Sequence, residues 1–75
     1  MTDAARPRIV VHPPAPTGGR RVHVDAAILG VAYSVADLLE FLRRAGLGPD
    51  DVRLLDPLLI EWRGGGPEVW TTGTE

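Results

Sequence analysis

The chain reads as one small α+β domain, an antiparallel sheet of three or four strands with a single amphipathic helix packed on one face. Two observations carry this. Residues 35–45 follow a helical period with a start and a stop signal, and the segments around them are short, β-branched or alternating runs separated by Gly and Pro. The order along the chain is β-β-β-α-β.

Arg8 to His12 (R-I-V-V-H) is β-branched and is read as a first strand that Pro13 ends. Pro13-Pro14-Ala15-Pro16-Thr17-Gly18-Gly19 is a connection, stiff at its start and flexible at its end. From Arg21 to Asp25 the residues alternate. Val22 and Val24 face one way, and Arg21, His23 and Asp25 face the other, a strand with one wet face. Ala27 to Tyr33 is apolar throughout, with Gly30 inside it. Asp25-Ala26-Ala27 leaves room only for a tight turn, so these two strands form a hairpin, without the Asn-Gly or Asp-Gly pair that would set its register.

Ser34 has the side chain of an N-cap, and Asp37 three residues on supports it. Val35, Leu38, Leu39, Leu42 and Ala45 form one stripe of a helical period, with Leu39 and Leu42 read as core. Asp37, Glu40 and Arg44 take the other side, Glu40 placed to pair Arg44 at i+4. Acid in the first turn and Arg43-Arg44 in the last suit the macrodipole. Gly46 and then Pro49 stop the helix. Asp51 to Leu55 is a helical turn or an extended link, and Asp56-Pro57 breaks it. Leu58 to Arg63 (L-L-I-E-W-R) is read as the last strand, Leu58, Ile60 and Trp62 sharing a face. Residues 8–63 thus make the domain. Residues 1–7 are a frayed N-terminus, and 64–75 a Gly-rich loop and tail in which Val69-Trp70 either docks or stays free and Thr71 to Glu75 is disordered.

Composition sets bounds. With 75 residues and no cysteine the chain has a modest core, no disulfide and no thiolate metal site. Residues 1–16 lack the apolar core of a secretory signal, and no apolar run approaches the ~20 residues that cross a bilayer, which points to the cytoplasm and to no membrane. All eight basic residues are arginine, and Lys, Asn and Gln are absent, the coding bias of a GC-rich bacterial genome. A net charge of −2 is not that of a strongly basic nucleic-acid binder.

No constellation commits the chain to a reaction, so neither a catalytic nor a metal site is assigned, no cofactor is implied and an enzyme is not expected. His23-Val24-Asp25 puts an imidazole and a carboxylate on one strand face, two groups where a site needs more, and a solvated face with Arg21 pairing Asp25 explains them. Gly64-Gly65-Gly66 lacks the following helix or lysine of a phosphate loop. Pro13-Pro14-Ala15-Pro16 satisfies P-x-x-P, a common pattern in plain rigid connections. Ser34 is explained as a cap.

The expected function is a non-enzymatic interaction or regulatory accessory module that works as a homodimer or on a larger protein partner. One helix covers one sheet face, yet Ala27–Tyr33 and Leu58–Ile60 do not alternate, so apolar residues are left for the other face. Leu29, Val31, Tyr33, Leu59 and Trp70 are the candidate interface. The alternative is a small nucleic-acid-binding protein using Arg8, Arg20, Arg21 and Arg63 on a sheet face, opposed by Asp25, Glu61 and Glu68 nearby.

Overall fold

The computed structural model describes residues 8–25 and 27–71. The expectations of a frayed N-terminus at 1–7, of Ala26 in the hairpin turn and of a disordered end at 72–75 lie outside the described residues. Among the described residues, four strands and one helix follow the order β1 (Ile9–Pro14), β2 (Arg20–Val24), β3 (Ala27–Ala32), α1 (Val35–Arg44) and β4 (Ile60–Trp62), with a single 3₁₀ turn at Pro49–Asp51. Spatially the sheet runs β3-β2-β1-β4. The fold is α+β, as the pattern of the chain predicts.

The sheet is mixed rather than wholly antiparallel. β1, β2 and β3 form an antiparallel meander, whereas β4 pairs with β1 in parallel, Ile9 against Ile60 and Val11 against Trp62. The long link from β3 through α1 explains this. A parallel pair needs a crossover of a dozen or more residues, and the chain that leaves β3 travels back along the helix before entering the opposite edge.

Local chemistry moves three boundaries. β1 does not stop at Pro13 but continues to Pro14 through a bulge, where β4 has already ended opposite Val11 and no ladder N–H is required. Ala15 to Gly18 then make the turn, the Gly18 N–H donating to the Ala15 carbonyl at 2.8 Å, so the P-x-x-P run is half strand and half turn. β4 begins at Ile60 rather than Leu58. The Asp56 carboxylate accepts the Leu58 N–H at 2.9 Å and the Asp56 carbonyl accepts the amides of Leu59 and Ile60, which holds 57–59 as a turn. Leu58 is therefore exposed, and Leu59 turns toward the core.

The helix starts at its cap, Ser34 Oγ accepting the Asp37 amide at 3.2 Å, while the Asp37 carboxylate accepts the Tyr33 N–H at 2.9 Å. Ala45 is the C-cap and Gly46 follows with φ 99°. Leu38 and Leu42 are fully buried. The third helical residue against the core is Phe41, not Leu39. Its ring stands on Gly30 of β3, where a Cβ would come within 3.1 Å of it and where φ is 144°. Only glycine fits there.

Ile9, Val11, Val22, Val24, Ala32, Leu38, Leu42 and Ile60 form the core. The helix lies mainly over β3. Leu47, Val52, Leu54 and Leu59 from the link, with Trp62 and Trp70, pack around the rest of that cluster.

Candidate functional site

Strand pairing sorts the sheet residues onto two faces, since directly paired residues share a face. Arg20, Val22 and Val24 of β2 lie with Ile9, Val11, Ala32, Ile60 and Trp62 on the helix side. Val10, Arg21, His23, Ile28, Val31 and Glu61 lie on the other side, which no described element covers.

The helix side is closed by an arginine. Arg20 has no exposed surface, and its guanidinium donates to five carbonyl oxygens: Nε to His12 at 2.8 Å, Nη1 to Gly66 at 2.9 Å and Val69 at 2.7 Å, and Nη2 to Arg63 and Gly65, both at 2.8 Å. Those are all the N–H donors an arginine has. The cation also lies between two indoles, 5.3 Å from the Trp62 centroid and 5.6 Å from that of Trp70, and the two rings meet edge to face at 6.1 Å. Each indole N–H finds a carbonyl, Trp62 Nε1 donating to Leu54 and Trp70 Nε1 to Pro67 at 2.7 Å. Burial pulls the Arg20 pKa down, with Glu68 opposing, yet an arginine keeps its proton in a folded protein. Carbonyl dipoles thus solvate a buried charge in place of a carboxylate. Gly65 and Gly66 aim oxygens inward at a cation, the reverse of the amides an anion would need.

The open side has a histidine pair at its centre. His12 Nε2 and His23 Nδ1 are 3.2 Å apart, the rings set edge to face. Burial lowers the His12 pKa first, then His23, Arg63 and Arg21 add to the effect while Glu61 opposes it. Two imidazoles in contact hold one shared proton on that contact, as N–H donor and N acceptor. His23 Nε2 is buried without a partner. Asp25 does not serve His23. It pairs with Arg8, Nη2 to Oδ2 at 3.2 Å, and not with Arg21 as the spacing suggests, because its backbone has turned to φ 55° at the end of β2. Among the described residues no group of three or more His, Cys, Asp or Glu side chains is arranged to hold a metal ion.

The candidate interface residues do not all share this side. A bulge sets Val22 against Gly30 but His23 against Ile28, so Leu29 is the extra residue and packs toward the core. Leu59 and Trp70 also lie against the core. Val31 and Tyr33 remain exposed, at 40% and 61%, and Ile28, which plain alternation along the strand would put on the opposite face from Val31, joins them at 65%. Gly19 lies beneath Val31 and Tyr33, where its missing Cβ would stand 2.5 Å from a Val31 methyl. Of the candidate nucleic-acid contacts, Arg20 is sealed in the core, Arg8 pairs with Asp25 and Arg63 with Glu61. Arg21 is exposed and has no carboxylate within ion-pair distance among the described residues.

The roles of three residues, Arg20, Ile28 and His12, escaped the sequence reading. Arg20 carries a signal, since alternation from Val24 and Val22 continues to it. Ile28 depends on the bulge, which has no mark in the sequence beyond Gly30. The His12 contact depends on which residues of β1 and β2 pair. Among the described residues no helix is long and apolar enough to cross a membrane. Comparison of the chain with protein-family models, with curated protein sequences and with solved structures finds no match in any of the three.

Proposed function

We propose that the protein is a non-enzymatic interaction or regulatory accessory module, acting in the cytoplasm and associating with itself. The observation that supports this reading is the group Ile28, Val31 and Tyr33, three large apolar side chains exposed together at the β3 end of an uncovered sheet face. Burial of such side chains is worth ~1.5–3 kcal/mol each, which a second surface can recover and water cannot. A chain of this length also gains from added core. The test is the oligomeric state of the full chain. Light scattering is expected to give a dimer, and the melting temperature is expected to rise with protein concentration. A monomer with a concentration-independent melt would overturn self-association. Retention on heparin that falls steeply with salt would instead favour the nucleic-acid alternative.

A further inference from the structure

The two edges of the sheet differ in kind. β4 presents three residues, carries Glu61 and passes at once into a loop that Arg20 holds. β3 presents six, Ala-Ile-Leu-Gly-Val-Ala, with no charge and no proline, and among the described residues its only backbone partner is β2. Natural sheets guard such an edge with charges, proline or cover, because a row of free N–H and C=O groups templates another strand. The bulge at Leu29 faces the inner neighbour and blunts the outer edge only locally.

We propose that β3 pairs antiparallel with β3 of a second copy, joining two sheets into one of eight strands about a two-fold axis, a mode that rests on the self-association proposed above. Three features select a second copy over a foreign peptide. A strand without charge meets no like charge when it opposes itself. The helix lies mainly over β3, Phe41 standing on Gly30, so each copy brings α1 to the seam on the same side of the joined sheet. Beyond Phe41 the helix flank bears Asp37, Glu40 and Arg44 on one stripe, Glu40 pairing with Arg44 within the helix at 3.4 Å. Two helices related by the axis run antiparallel, which sets Asp37 of each copy across from Arg44 of the other. Ile28, Val31 and Tyr33 then form a continuous apolar strip across the seam on the open side, and the contact closes on itself as a two-fold must.

Hydrogen exchange on the full chain at low and high concentration tests this, with Val10→Lys as the control for stacking of the open faces. Edge pairing predicts that the β3 amides pointing outward exchange at least ~10-fold more slowly in the dimer, and that Val10→Lys, away from the seam, still dimerises. A dimer whose β3 amides are unchanged, or one that Val10→Lys dissociates without unfolding, would overturn the edge mode and leave self-association standing. A monomer at every concentration would overturn both. The exchange arm uses the native chain and so decides the matter even where the variant does not fold.

Discussion

At the scale of single residues, Arg20 does more than its position in a list of arginines suggests. Its five donors reach carbonyls from His12 to Val69, so one side chain ties β1 and the C-terminal loop to β2. Lysine keeps the charge but has three donors and no plane to lie between indoles. Arg20→Lys is therefore expected to lower stability by ~3–5 kcal/mol, the range for breaking a buried charged network, measured by urea denaturation. A loss under about 1 kcal/mol would show the network to be replaceable. His12 predicts a pH effect with a definite sign. Its folded pKa lies below the ordinary 6.5, so the unfolded chain takes up the proton first. Stability that is full above about pH 6.5 should decline as pH falls through that value toward the folded pKa, and His12→Gln should flatten that part of the profile. A profile unchanged by His12→Gln would remove the histidine contact as its cause.

At the scale of elements, α1 was the most legible part of the chain, because cap, stripe, charge placement and stop signal agree and all act within a few residues of one another. The stripe alone did not settle which flank packs. Leu39 and Phe41 lie on either side of Leu38 and Leu42, and the choice between them is made by Gly30, a gap in another element that admits the ring. Leu42→Asp is thus expected to unfold the domain, a loss above ~4 kcal/mol, and Leu39→Asp to cost no more than ~2 kcal/mol. Circular dichroism melts of the two variants give the comparison, and equal losses would mean that both flanks are core. The strands were legible as segments and less so as faces. Alternation places Val22 and Val24 correctly, but one bulged residue at Leu29 reassigns Ile28, and a bulge is a property of the pairing rather than of the strand.

At the scale of the molecule, the element order followed from local pattern, while the parallel entry of β4 did not, because strand direction is set by where α1 lands and not by the residues of β4. The segment after β4 was likewise read only as a Gly-rich loop and tail. Its role rests on carbonyls, which every residue has and no sequence displays. Deleting residues 64–75 strips Arg20 of three of its five acceptors and the Trp70 ring. The shortened chain is expected to melt well below the parent, whereas removing only 72–75 leaves those contacts intact. Equal melting of parent and the longer deletion would show that the loop is dispensable.

The acceptors of Arg20 lie up to 49 residues away along the chain, which has a consequence for order in time. The meander and helix form from neighbours, but this cation cannot lose its water until residues 63–69 have arrived. On a ribosome the domain must wait, hydrated at one end, until Val69 has cleared the exit tunnel. In refolding, loop-closure entropy makes the same junction the late event. The Trp70 fluorescence change should accordingly lag the far-ultraviolet signal of the helix, and simultaneous changes would show the latch forming within the main folding step.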